Sequence, residues 1–270
     1  DGRGLALLRG LPVEKYDRDE LVIILWGLGS HLGVGISQSY RGDMIGDVMD
    51  MSHEGDIRRA YRSPRPLYLH VDPVDIVGLL CIRQAKSGGQ SRLASSVAIY
   101  NEIAATRPDL LEPLFHGYRY HWFGEQPPGE GVVTSYDVPV FGHAGGRLSC
   151  IFLREFIHMA AEELGKPLGE KEAEALTLFG EIAEREDIQF RYRLEPGWAS
   201  FINNYTTLHS RTGFEDWEEI EKRRMLLRLW LKGQPARPLV ENQKRYYGED
   251  GMHVDGRENT IFDPNRQAAE

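Results

Sequence analysis

The sequence predicts a mostly β protein with α-helical insertions, arranged as one distorted sandwich or barrel with helical padding. Three observations carry that reading. Apolar or alternating runs of strand length recur along the chain, and the segments of helical spacing stand between them rather than in a block of their own. With 41% hydrophobic and 10% aromatic residues among 270, the chain can also bury a substantial core.

In order, Gly4 to Gly10 reads as a short buried strand closed by Gly10-Leu11-Pro12. Asp17 and Glu20 have capping-box spacing, and Leu21, Ile24, Leu25 and Leu28 follow at helical spacing until Gly29 and Gly33 interrupt. This predicts a helix on the outside of a sheet. Residues 36–46 are polar and Gly-bearing, with Gln38, Tyr40, Arg41 and Asp43, and read as a loop: a solvated connection or one wall of a substrate pocket. Leu67 to Pro73 is an apolar run that would place His70 and Asp72 on one face of a strand. Ile76 to Ile82 is continuously apolar, as a central strand buried on both faces requires. Ser87-Gly88-Gly89-Gln90-Ser91 makes a turn that delivers Ser91 to the next strand. Ser96 is expected to cap a helix over 97–106, with a second short helix through Leu114.

Residues 118–145 are rich in aromatics, Gly and Pro and read as a partly extended insertion of the kind that lids an active site. Helical spacing returns over 153–164 and 170–185, both with acidic outer faces. Residues 188–194 alternate as a strand, and 198–204 form the next, with His209 just beyond. Residues 223–231 have period two: Arg224, Leu226, Arg228 and Trp230 on one face, Met225, Leu227, Leu229 and Leu231 on the other. The second face packs against helices, so the first looks into a sheltered interior, where two arginines need anions. From Arg237 the chain is polar and irregular. The expected organisation is a single domain over 1–240 and a polar tail over 241–270.

Lys+Arg 32 against Asp+Glu 41 gives a net charge of −9 without a basic stripe, which argues against nucleic acid and anionic membranes as partners. No apolar run approaches the roughly 18–20 residues that span a bilayer. Cys81 and Cys150 stand alone in apolar settings, with no CxxC, as buried thiols of a reducing, cytoplasmic compartment do. The chain opens at Asp1 without methionine or a signal-like run, which leaves native residues upstream an open matter, as is assembly into a homo-oligomer.

His70 and Asp72 offer an imidazole nitrogen and a carboxylate oxygen side by side, and His209 is the best third ligand from a distant strand. Two His and one carboxylate on one face of a metal are the donor set of non-haem Fe(II) oxygenases. His-x-Asp alone is a weak signal, since nine histidines and 41 acidic residues produce about 1.4 such pairs by chance. The second pair, His253-Val254-Asp255, lies in a solvated stretch with no histidine after it. The first lies in an apolar run, is followed by a Gly-Gly turn that returns a hydroxyl, and is matched by a late histidine ahead of the inward arginines.

With these features the chain resembles the taurine dioxygenase family of Fe(II)- and 2-oxoglutarate-dependent oxygenases from Leu5 to about Leu239. His70, Asp72 and His209 look like its metal ligands, Gly88-Gly89-Gln90-Ser91 is similar to its Gly-Gly-x-Thr turn with serine for threonine, and Arg223-Arg224 with Arg228 resembles its closing arginine signature. Where the family commonly has threonine between the first two ligands, this chain has Val71, followed after Asp72 by Pro73. The resemblance implies a double-stranded β-helix of the jelly-roll or cupin kind with helices on one side, and dependence on Fe(II), 2-oxoglutarate and O2. It implies that Arg224, helped by Ser91, holds the far carboxylate of 2-oxoglutarate, and that Arg228 lies near the substrate or the other end of the co-substrate. Halogenating relatives vacate the position held here by Asp72, so hydroxylation with release of succinate and CO2 is expected first, with desaturation or ring closure as the alternative. For a small anionic or amino-acid-like substrate, the expected contacts are Tyr68, Gln38, Arg154, Tyr205 and Arg228. Two rivals remain: a non-catalytic small-ligand β-barrel, and a zinc hydrolase that needs a general base and has no use for Arg224.

Overall fold

The computed structural model describes residues 2–39, 42–50, 63–248 and 251–252. The elements in order are β1 (Leu5–Leu8), α1 (Arg18–Ser30), β2 (Gly33–Gly35), β3 (Ile45–Val48), β4 (Ile76–Arg83), β5 (Ser87–Gly88), β6 (Ser91–Ser95), α2 (Ser96–Thr106), α3 (Leu111–His116), β7 (Phe141–Ala144), β8 (Arg147–Cys150), α4 (Arg154–Glu163), α5 (Glu170–Glu184), β9 (Gln189–Tyr192), β10 (Ala199–Asn203), β11 (Thr207–Arg211), β12 (Phe214–Glu215), β13 (Met225–Gly233) and α6 (Glu241–Tyr247). The major antiparallel sheet runs β1-β10-β4-β13-β2, with β3 also on β13, and the minor sheet runs β11-β6-β9.

Strand alternation explains how these layers stack. The outward residues of β13, Met225, Leu227, Leu229 and Leu231, close on Leu21 and Leu25 of α1. That helix opens on the predicted capping box: the Asp17 carboxylate accepts the Glu20 N–H, and Glu20 accepts from Asp17 N–H, both at 2.9 Å. The inward residues behave differently. Leu226 packs with Val48, Cys81 and Leu194, and Trp230 with Ile36, Val74 and Val77. On the far side, Ala94 of β6 and Leu208 of β11 point away from the major sheet into a core shared with α2, α3 and α5. Helices therefore concentrate over the minor sheet, and α1 covers the outer face of the major one.

Several expectations shift. The residues around His70 do not form a strand; they make one antiparallel bridge, His70 to His209. Pro66 and Pro73 flank the stretch and lack the N–H groups a longer ladder needs. His209 lies within its own strand, β11, rather than beyond one. The α2 cap is Ser95, whose hydroxyl accepts the Ala98 N–H at 3.3 Å, while Ser96 is buried. The stretch read as a lid sends Tyr118, Tyr120, Val138 and Val140 into the core, and it is exposed at Pro128, Gly129 and Gly131, at Ser135, and at His143 and Gly145. The expected tail begins as a helix: in α6, Gln243 and Tyr246 are buried, and Tyr246 stacks on Trp122 at 5.1 Å. Tyr40, Arg41 and the His253-Val254-Asp255 motif lie outside the described residues.

Candidate metal centre

Backbone pairing brings the two histidines together. His70 N–H donates to the His209 carbonyl at 3.1 Å and His209 N–H returns to the His70 carbonyl at 2.8 Å, leaving the ring centroids 4.6 Å apart. Asp72 completes the set: His70 Nε2 is 3.7 Å from its Oδ1, and His209 Nε2 is 3.8 Å from its Oδ2. One donor atom from each residue lies within 4.8 Å of the others, and no other trio of His, Cys, Asp or Glu among the described residues does so.

The protonation pattern suits a cation. His70 Nδ1 lies 2.8 Å from the Tyr68 carbonyl, so it donates there and leaves the Nε2 lone pair facing the centre. Burial, reinforced by His70 and Arg228, pushes His209 down to about 3, so its ring is neutral at neutral pH. Burial works against charge at Asp72 as well, but Arg228 and the two imidazoles outweigh it and hold the carboxyl well below its ordinary range. His70 is raised, because Asp72 more than offsets the burial that opposes its charging. Neutral imidazole nitrogen with carboxylate oxygen fits a divalent first-row metal such as iron or zinc.

The inner face of β13 supplies the cations. Arg228 Nη1 is 3.5 Å from Asp72 Oδ2, and its Nε donates to Gln38 Oε1 at 2.7 Å. Gln38 in turn donates to the carbonyls of Arg228 at 2.9 Å and Met44 at 3.1 Å. Arg224 is only 5% exposed and its guanidinium lies over Phe214 at 5.2 Å, yet Nη1 has no acceptor among the described residues. Such an orphaned charged donor is what a carboxylate ligand would satisfy, so the residues present fit 2-oxoglutarate as well as the metal. Gly88 and Gly89 adopt φ of +74° and +70°, and a Cβ on Gly89 would stand 3.5 Å from Arg224 Nε. Ser91, the first residue of β6, pairs with Arg211 of β11.

Of the other expected contacts, Tyr205 and Arg154 have partners within the protein and Tyr68 is exposed. The Tyr68 ring is 68% exposed, and it is this residue's carbonyl that serves the site. The Tyr205 hydroxyl donates to Asp75, a structural bond in the core. Arg154 turns to His158 Nε2 at 3.3 Å and toward Gly180 on α5. Sequence reasoning also passed over Arg211, which is buried on the inner face of β11, donates to the carbonyls of Ser63 and Arg65, and is pushed down to about 9 by burial and by Arg224. Its only signal was its place two residues after His209, on the same strand face.

Comparisons with known proteins point to one family. Residues 1–230 match the family described as "Taurine catabolism dioxygenase TauD, TfdA family". FR-33289 synthase of Streptomyces rubellomurinus is 36% identical over 243 residues, covering 87% of this chain and 71% of that protein. A taurine hydroxylase-like protein of Stachybotrys chartarum is 32% identical over 241 residues, covering 84% and 60% respectively. In fold, the chain is similar to an asparagine oxygenase solved with Fe(II), 2S,3S-3-hydroxyasparagine and succinate, with a TM-score of 0.63 and 18% identity over 84% of this chain and 74% of that one.

Proposed function

The chain belongs to the TauD, TfdA family of dioxygenases, and from that membership we propose that it hydroxylates a small anionic or amino-acid-like substrate. Its cofactor is Fe(II) and its co-substrates are 2-oxoglutarate and O2. Iron bound here would let O2 serve as a four-electron oxidant, two electrons coming from the decarboxylation of 2-oxoglutarate to succinate and CO2 and two from the substrate C–H bond that gains the second oxygen atom. Two similarities support the substrate class: one relative is a taurine hydroxylase-like protein, and one structural neighbour holds a 3-hydroxyasparagine.

In this reading, His70 Nε2, Asp72 and His209 Nε2 hold the metal. Arg224, with Ser91, receives the far carboxylate of 2-oxoglutarate through charge-assisted hydrogen bonds. The buried setting keeps bulk water from the reacting atoms, and Arg228 with Gln38 shapes the side of the site next to Asp72. Because Asp72 fills the carboxylate position, hydroxylation is favoured over halide transfer. The observation that carries the reading is Arg224 Nη1, buried without an acceptor among the described residues, since a zinc hydrolase has no use for that anion socket. Both cysteines are free and buried, which supports a reducing, cytoplasmic setting, and no helix among the described residues is long and apolar enough to cross a membrane.

The test is an anaerobic visible spectrum of the protein with Fe(II), followed by 2-oxoglutarate. A new charge-transfer absorption is expected, and succinate release can then be screened over amino acids, aminosulfonates and aminophosphonates. Mass analysis of the product distinguishes one added oxygen from the loss of two hydrogens in desaturation or ring closure. A folded, metal-loaded protein that gives no absorption would sink the proposal.

A further inference from the structure

Beyond the three ligands, one buried donor is unexplained by packing alone. Trp230 sits on the inner face of β13, 3% exposed, wedged among Ile36, Val74 and Val77. Its indole N–H donates to Asp72 Oδ2 at 3.1 Å. A buried indole N–H needs an acceptor, and the one it has here is the carboxylate of the metal site. The same oxygen faces Arg228 Nη1 at 3.5 Å, and the guanidinium lies over the Trp230 ring at 5.0 Å. Gln38 braces that guanidinium from the other side, with its own amide tied to two backbone carbonyls. Oδ1, meanwhile, stands beside His70 Nε2 at 3.7 Å and carries neither of these donors, whereas Oδ2 also lies 3.8 Å from His209 Nε2.

We propose that Trp230 is a positioning residue for the metal: with Arg228 braced by Gln38, it pins Asp72 Oδ2 and reserves Oδ1 as the ligand atom. The inference rests on the metal reading above and deepens it. A carboxylate free to rotate about its last bond could meet the metal with one oxygen or with both, and the second mode would fill one more of the positions left open. Two donors on Oδ2 remove that freedom, because rotation would break both hydrogen bonds in a buried site. Arg228 alone would not suffice, since its 3.5 Å approach is long and Nε is already given to Gln38. Trp230 makes the shorter bond and is held by apolar packing on β13, so it sets the orientation.

The experiment uses Co(II) as the probe, with affinity measured by competition against a chromophoric chelator and coordination read from the visible Co(II) bands. Trp230→Phe keeps most of the ring packing and removes the N–H. Its Co(II) affinity is expected to fall about 10–100-fold with altered Co(II) bands, while the melting temperature of the metal-free protein stays close to that of the parent. Gln38→Met, which leaves Trp230 in place and releases Arg228, should show a smaller loss in the same direction, and it serves as the readout if Trp230→Phe does not fold. A folded Trp230→Phe protein with parental affinity and parental bands overturns the clamp while leaving the metal site standing. A parent protein that binds no Co(II), or binds it equally well after Asp72→Ala, overturns the metal reading and the clamp with it.

Discussion

Along β11, Leu208 turns outward into a core with Ile99, Ile103, Leu176 and Phe179, whereas His209 turns inward to face Asp72 on the side where Arg224 and Arg228 are buried. The outer region is packed closed, and most of its buried polar groups are met, Trp122 Nε1 being an exception among the described residues. Three of its buried tyrosines donate: Tyr118 to the Glu172 carbonyl, Tyr120 to the Ile151 carbonyl and Tyr205 to Asp75. On the inner side, Arg224 Nη1 has no partner among the described residues, and His209 turns Nε2 to Asp72. Buried polar groups of that kind cost stability unless a ligand meets them. One strand thus borders two regions, the first built for packing and the second left incomplete in itself.

The sharpest way to test that division is to remove a ligand from the incomplete side. His209→Leu should lose metal binding by calorimetry and turnover by succinate release, while the metal-free protein melts at or above the parental temperature. A large loss of stability would mean that His209 is a structural residue, and the contrast would break. The converse substitution is Phe141→Ala in the outer core, where the ring meets Tyr100 edge-on at 5.4 Å. Denaturant unfolding should show a loss of about 3–5 kcal/mol, with Co(II) affinity of the folded fraction within about twofold of the parent.

Arg224→Met comes next in size and separates the co-substrate from the metal. Losing a charge-assisted bond of about 1.5–3 kcal/mol should raise the KM for 2-oxoglutarate by roughly 10–150-fold, because 1.4 kcal/mol is a factor of about ten. Metal affinity should hold, and the charge-transfer absorption should return at high 2-oxoglutarate. If metal affinity fell in parallel, the arginine would be supporting the fold of the site rather than holding a carboxylate.

What was legible in the sequence follows from the same division. The period of β13 announced both faces, because a strand buried on two sides still sorts arginine from leucine. The capping box announced α1, since its two bonds are local in sequence. The convergence of His70, Asp72 and His209 could be read because ligand chemistry restricts residue type. Partner choice at long range could not. Nothing near Tyr205 in sequence says that its hydroxyl belongs to Asp75, 130 residues away, and nothing near Trp230 says that its N–H belongs to Asp72. The α6 helix was hidden for a related reason: Gln243 is polar by composition but donates to the buried Pro139 carbonyl at 3.1 Å.

The smallest expected effect probes the boundary between the two regions. Cys81 lies on β4 between the sheets, where burial pushes its thiol up to about 12 although the charge of Arg224 acts the other way. Below about pH 7.5 the thiol is neutral in both folded and unfolded chains, so the stability it confers is whole. As pH rises further the unfolded chain ionises first, and that contribution is lost progressively on the way to about 12. Thermal melts between pH 8 and 11 should therefore fall less steeply for Cys81→Ala than for the parent. At pH 8, a thiol reagent should label Cys81 only as fast as the protein unfolds, in step with Cys150 in the outer core. Rapid labelling of Cys81 alone would mean that water reaches the face shared with Arg224, and the guanidinium would then be solvated rather than waiting for a carboxylate.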